Sequence, residues 1–193
     1  MNILLLYSST EGQTKKVADR VASIVRAAGH EILVHHMSSD QAPPPIGSFD
    51  AVICAASVHQ GYHQESATDF VSAQAAELGR KPTAFISVSL SAAMDDGREE
   101  AQHYVDRFVE ATHWSPTMTL LLGGAVRLSG YDYFERQVMK HIIMQRGVAH
   151  DLNVDYECTD WTALETFVRD FLDAAPTEGK RQSEGLSRPH LSP

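Results

Sequence analysis

Three runs dominated by apolar and small side chains, Asn2 to Tyr7, Ala51 to Ala56 and Thr83 to Ser89, constrain this chain more than any other feature. A strand without a polar face has to be covered on both sides, which is the condition of an interior strand in a parallel sheet. Each run is followed by a stripe of mostly apolar residues at helical spacing. Val17, Val21, Ile24, Val25 and Ala28 follow the first, with Gly29 placed to close the helix; Phe70, Val71, Gln74, Ala75 and Leu78 follow the second; Ala101, Tyr104, Val105 and Phe108 follow the third. Glu31 to His36 alternates instead, with Ile32 and Val34 on one face, as a half-exposed edge strand does, and Pro43-Pro44-Pro45 then forces a loop. Thr119 to Gly123 reads as a fifth strand. Leu164, Phe167, Val168, Phe171 and Leu172 mark a last helix capped by Thr159 or Asp160. Right-handed crossovers confine such an alternation to an α/β fold, a doubly wound five-stranded parallel sheet in the order 2-1-3-4-5 with helices on both faces.

The 193 residues, 43% hydrophobic and 21% charged, fit one domain with a sizeable core, expected over residues 1–175. From Pro176 onward the composition offers almost nothing to bury, and residues 176–193 are expected to form a disordered tail. A net charge of −9 argues against nonspecific nucleic-acid binding, which needs a basic face. Cys54 and Cys158 lie in strand-like runs and form no Cys-x-x-Cys pair, so both are expected as buried thiols. The ten histidines show no ligand spacing, and no metal is expected. No apolar run is long enough to span a bilayer, and Met1 leads straight into a strand, which points to a cytoplasmic protein.

In a doubly wound sheet ligands bind at the carboxyl ends of the strands. Three turns are expected to meet there: Ser8 to Thr14, Ser57 to His63 and Ser87 to Met94. In the first, a strand breaks into Ser8-Ser9-Thr10-Glu11-Gly12-Gln13-Thr14 and a helix starts at once. Unpaired N–H groups at a helix start, together with the hydroxyls of Ser9, Thr10 and Thr14, make a cradle for a phosphate. The turn lacks the Gly-x-x-x-x-Gly-Lys-Ser/Thr of a triphosphate loop and the Gly-x-Gly-x-x-Gly of a dinucleotide site, so a monophosphate fits it better. An ordinary capped strand-to-helix turn is the alternative.

About thirty-five residues, 124–158, separate the fifth strand from the last helix, far more than a connection needs. Within this insert, Phe134, Val138, Ile142 and Ile143 share a helical stripe flanked by Arg136, Lys140 and Arg146. A basic, apolar helix over 131–146 on an acidic protein either packs on the domain or meets a membrane surface or a substrate.

Leu5 to Thr14 resembles the FMN-phosphate signature of the flavodoxin superfamily. Within it, residues 1 to about 173 look like the bacterial flavodoxin-like protoporphyrinogen oxidases, the quinone-dependent protoporphyrinogen IX dehydrogenases. The finer likeness is carried by Ala55-Ala56-Ser57-Val58 with Gly61-Tyr62-His63, by Gly123-Gly124-Ala125-Val126-Arg127 leading into Tyr133 to Lys140, and by Asp155 to Trp161. In that family the insert interrupts the fifth strand, and Asp155 to Cys158 would be its returning half. The chain departs from the family pattern at Gly147-Val148 and His150-Asp151 after the insert helix, and at His59-Gln60 after the third strand.

The resemblance implies FMN held by Ser9, Thr10, Glu11, Gly12, Gln13, Thr14, Ser57, Gly61, Tyr62, Ser89, Leu90, Ser91 and Gly123. It implies oxidation of protoporphyrinogen IX to protoporphyrin IX in haem biosynthesis, with electrons passed to a quinone, menaquinone or ubiquinone. Arg127 is the favoured partner for a substrate propionate, because it follows the strand end where the flavin should lie. Tyr62, His59 and His63 are the ring-stacking and proton-handling candidates. Peripheral contact with the inner face of the cell membrane through the 131–146 helix, and a homo-oligomer, stand as further expectations. The competing readings are a flavodoxin electron carrier and a nicotinamide-dependent quinone reductase of the same fold.

Overall fold

The computed structural model describes residues 1–38, 41–126 and 156–175. Five parallel strands form its centre: β1 (Asn2–Ser8), β2 (Glu31–His36), β3 (Ala51–His59), β5 (Thr83–Ser89) and β6 (Met118–Gly123). They lie in the order β2-β1-β3-β5-β6, the doubly wound order expected from the sequence once a short hairpin strand, β4 (Tyr62–His63), is counted. Helices α1 (Gln13–Ala27), α2 (Glu65–Leu78), α3 (Arg98–Thr112) and α4 (Trp161–Ala174) supply the outer layers.

The period of two along β1 builds both cores. Ile3 and Leu5 join Val17, Val21 and Val25 of α1 and Leu164, Val168 and Phe171 of α4 on one face. Leu4 and Leu6 join Val71 and Leu78 of α2 and Val105 and Phe108 of α3 on the other, with Phe85 and Trp114. All four β1 side chains are fully buried, each worth roughly 1.5–3 kcal/mol relative to exposure. Strand β2, at the edge, keeps the half-exposed alternation read from its sequence, and Leu33 faces outward at 47% exposure.

Two features depart from the simple alternation. β3 runs three residues past Ala56 and turns back into β4, pairing Val58 with His63 and His59 with Tyr62. Gln60 and Gly61 both adopt positive φ, 50° and 82°, the two-residue turn whose twist matches that of paired strands. Beyond β6, β7 (Ala125–Val126) pairs antiparallel with β8 (Tyr156–Glu157) in a ribbon separate from the main sheet. The chain thus leaves for the insert and returns side by side. The insert helix expected over 131–146 and the tail at 176–193 lie outside the described residues, as does Arg127.

Of the two cap candidates for α4, Asp160 takes the place, its Oδ1 accepting from the backbone N–H groups of Thr162 and Ala163 at 3.0 and 2.9 Å. Cys54 is buried in β3, and burial pushes its thiol up to about 12. Cys158 corrects the expectation of a second buried strand cysteine: it lies just past β8 and is only half-buried.

Candidate functional site

The β1–α1 turn ends on Gly12, at φ 83°, immediately before the first helical residue. No side chain among the described residues caps α1, and the helix carries no acidic residue of its own in its first turn. Ser9 Oγ accepts from the Gly12 N–H at 3.0 Å, so Ser9 serves the turn itself. Thr14 is 1% exposed, and its hydroxyl has no hydrogen-bond partner among the described residues. A buried, unpaired hydroxyl in the first turn of a helix costs about 1–3 kcal/mol unless something accepts from it.

The second wall comes from the end of β3 and the head of α2. Gln64, absent from the sequence-derived site, stands between the two turns: its Nε2 donates to Ser57 Oγ at 2.8 Å and to Thr10 Oγ1, while its Oε1 accepts from Ser8 Oγ. Ser8 is fully buried and also pairs with Ser66 at 2.8 Å. The only advance sign of Gln64 was its place between a strand end and a helix start. The structure therefore brings Ser8 and Thr10 of the first turn together with Ser57 of the second through Gln64.

The third wall is the turn after β5. Ser89 pairs in register with Gly123 of β6, its Oγ accepts from the Ala92 N–H at 3.2 Å, and its carbonyl accepts from the Gly124 N–H at 3.0 Å. Leu90 is half-buried, whereas Ser91 turns its hydroxyl inward to Glu100 Oε2 at 2.8 Å and to the Tyr104 hydroxyl at 3.2 Å. Ser91 thus holds the turn to α3. Gly123 is packed so closely that a Cβ there would stand 2.3 Å from the carbonyl oxygen of Cys158.

The hairpin sorts the expected aromatic and histidine candidates by alternation. His59 and Tyr62 point to solvent, Tyr62 at 64% exposure, while His63 points inward. His63 Nε2 lies 2.9 Å from Ser87 Oγ, and its ring packs against Phe85 and Phe108 at 5.2 and 4.8 Å. Burial, reinforced by the nearby Arg107 charge, pushes its pKa down to about 4. It is a neutral core histidine, and the proton-handling role considered for it has no access to solvent.

The returning segment is tied to the first turn. Thr159 Oγ1 donates to the Gly123 carbonyl at 2.8 Å and accepts from Gln13 Nε2 at 2.9 Å. Lys16 meets Glu157 at 2.8 Å, which with the Trp161 indole N–H at 2.9 Å holds the Glu157 carboxyl below the usual range. Among the described residues no group of histidine, cysteine and carboxylate side chains is arranged to hold a metal ion.

A parallel sheet in this order, with a hydroxyl-rich turn at the carboxyl end of its first strand, defines a doubly wound α/β domain. The chain belongs to the flavodoxin domain family, whose model matches residues 4–153. It is 28% identical over 171 residues to protoporphyrinogen IX dehydrogenase [quinone] of Escherichia coli (strain K12), covering 88% of this chain and 94% of that protein. A protein of the same name from Leishmania major is 28% identical over 172 residues, 87% of this chain and 73% of that one. Among solved structures, oxidised Flavodoxin 1 from Bacillus cereus superposes with a TM-score of 0.57 at 15% identity, over 91% of this chain and 100% of that one.

Proposed function

We propose that this protein binds FMN and oxidises protoporphyrinogen IX to protoporphyrin IX, passing the electrons to a quinone. The observation that carries the reading is the likeness to the quinone-dependent dehydrogenases over nearly the full length of both chains, insert included. The first turn fits the cofactor's terminal phosphate: Thr14 buries a hydroxyl with no acceptor among the described residues, and the turn offers backbone N–H groups and hydroxyls to a dianion.

FMN, bound across the strand ends, supplies the redox chemistry. The chain's own residues bind and orient. Thr10, Gly12, Gln13, Thr14 and Ser57 hold the phosphate end, while the turns at Gly61-Tyr62, at Ser89-Leu90-Ser91 and at Gly123 border the ring. Tyr62 offers an exposed aromatic face to a flat, apolar substrate. Arg127, next in sequence after β7, supplies a fork for a propionate, and the basic, apolar stretch of sequence over 131–146 brings the chain to the membrane surface where quinones reside. No helix among the described residues is long and apolar enough to cross a membrane.

The test is anaerobic. Protein loaded with FMN is mixed with protoporphyrinogen IX and porphyrin fluorescence is followed with and without a menaquinone analogue. Quinone-dependent fluorescence growth that weakens on Arg127→Ala supports the reading; fluorescence indifferent to quinone sinks it in favour of a carrier.

A further inference from the structure

The two walls of the phosphate turn are joined by a single carboxamide. Gln64 Nε2 donates to both Thr10 Oγ1 and Ser57 Oγ, the latter at 2.8 Å, and Gln64 Oε1 accepts from the buried Ser8 hydroxyl. A serine or threonine hydroxyl has one proton and two lone pairs. Where its oxygen already accepts from an amide N–H, its proton is left to be donated elsewhere. Thr10 and Ser57 are both in that state. Ser8 is not, because its proton is committed to Gln64; its oxygen is served by Ser66 at 2.8 Å.

Thr10 belongs to the β1–α1 turn and Ser57 to β3, so the carboxamide presents two O–H donors from two separate segments beside the uncapped start of α1. Donors from two sides at the positive end of a helix match one kind of ligand, an anion with several acceptor oxygens. We infer that Gln64 is a positioning residue for the phosphate monoester of the flavin: it fixes Thr10 and Ser57 as donors toward that group without touching it. The inference rests on the FMN reading above.

Chemistry distinguishes this from a merely structural bridge. Glutamate has the shape of glutamine and only accepts. Gln64→Glu therefore draws the Thr10 and Ser57 protons to itself and adds a negative charge beside the phosphate, while Gln64→Met removes the bridge and keeps its volume. The experiment titrates flavin-free protein with FMN and with riboflavin, which lacks the phosphate, following the loss of flavin fluorescence, and melts each variant without flavin.

Wild type is expected to bind FMN far more tightly than riboflavin. Gln64→Glu is expected to lose about a hundredfold in FMN affinity and Gln64→Met about tenfold, with riboflavin changed less than about threefold. The phosphorus resonance of FMN bound to the glutamate variant is expected to titrate at higher pH than in wild type. If both variants keep the wild-type ratio of FMN to riboflavin affinity, or lose both ligands equally, Gln64 does not position the phosphate. If wild type itself does not prefer FMN to riboflavin, the FMN reading falls first and takes this inference with it.

Discussion

Arg107 lies over the ring of Tyr62, its guanidinium carbon 4.6 Å from the ring centroid, while its Nη2 donates to the Gly61 carbonyl at 2.6 Å. Tyr104, one turn earlier on α3, receives the same cation at 5.4 Å. The third helix thus grips the tip of a hairpin that pairs with β3 at two positions and is anchored inward by His63. Arg107→Ala is expected to lower stability by about 1–2 kcal/mol, from one exposed cation–ring contact and one charge-assisted hydrogen bond. Urea unfolding gives the size, and faster amide exchange at Tyr62 and His63 gives the place. Arg107→Lys should recover less than half, because an ammonium lacks the flat fork that stacks and donates together. An alanine variant as stable as wild type, with unchanged exchange, rules out the clamp.

His63 makes the same hairpin sensitive to acid. Its pKa in the folded protein is about 4, against an ordinary 6.5, with burial as the first cause and the Arg107 charge as the second. The unfolded chain takes up the proton first as pH falls, so stability rises with pH between these two values. The contribution is complete above about pH 6.5 and is lost on the way down to about pH 4, amounting to on the order of 3 kcal/mol. His63→Leu forfeits the Ser87 bond at neutral pH and should flatten this part of the stability profile. Chemical denaturation of both proteins across the window decides it; parallel profiles would exclude His63 as the source.

The sheet was legible because its signals are periodic. Runs dominated by apolar and small side chains became β1, β3 and β5, the alternating run became the edge strand β2, and the helices followed their stripes. The hairpin was not, because Gln60-Gly61 is a weak turn signal and the paired strand is only two residues long. Without the hairpin, His59, Tyr62 and His63 look alike; with it, the period of two sends His63 inward and leaves the others outside. The hydroxyl-rich turn from Ser9 to Thr14 stands out in the sequence because its chemistry is local. Gln64, Arg107 and Thr159 act across 54, 46 and 36 residues of sequence separation, to Thr10, Gly61 and Gly123, and nothing in their own neighbourhoods announces those partners.

Gly123 and Gly124 look equivalent in sequence and differ in what surrounds them. A Cβ on Gly123 would stand 2.3 Å from the Cys158 carbonyl oxygen and 3.0 Å from the Ala93 Cβ, whereas one on Gly124 meets Val88 Cγ1 at 3.4 Å. Gly123→Ala therefore has to push the returning segment off β6, straining the bond from Thr159 to the Gly123 carbonyl and with it the tie to Gln13. The expected loss is about 2–4 kcal/mol, against less than about 1 kcal/mol for Gly124→Ala. Thermal melts of the two variants side by side check the contrast, and equal melting temperatures would contradict the close approach.

Thr14 sets stability against binding. Its hydroxyl is buried in the first turn of α1 with no acceptor among the described residues, and valine has nearly the same shape without the polar group. If that hydroxyl is kept for the flavin phosphate, Thr14→Val has opposite effects on the two states. The flavin-free protein should gain up to about 1 kcal/mol, because a buried unpaired group is removed. FMN affinity should fall about tenfold or more, because a hydrogen bond to a charged acceptor is lost. Riboflavin, without the phosphate, should bind the variant and wild type alike. Melting temperatures without flavin and fluorescence titrations with each flavin separate the outcomes. A variant that is less stable and yet binds FMN normally would mean that Thr14 belongs to the packing of the helix, and the phosphate would then have to be held by Thr10, Ser57 and the backbone of the turn without it.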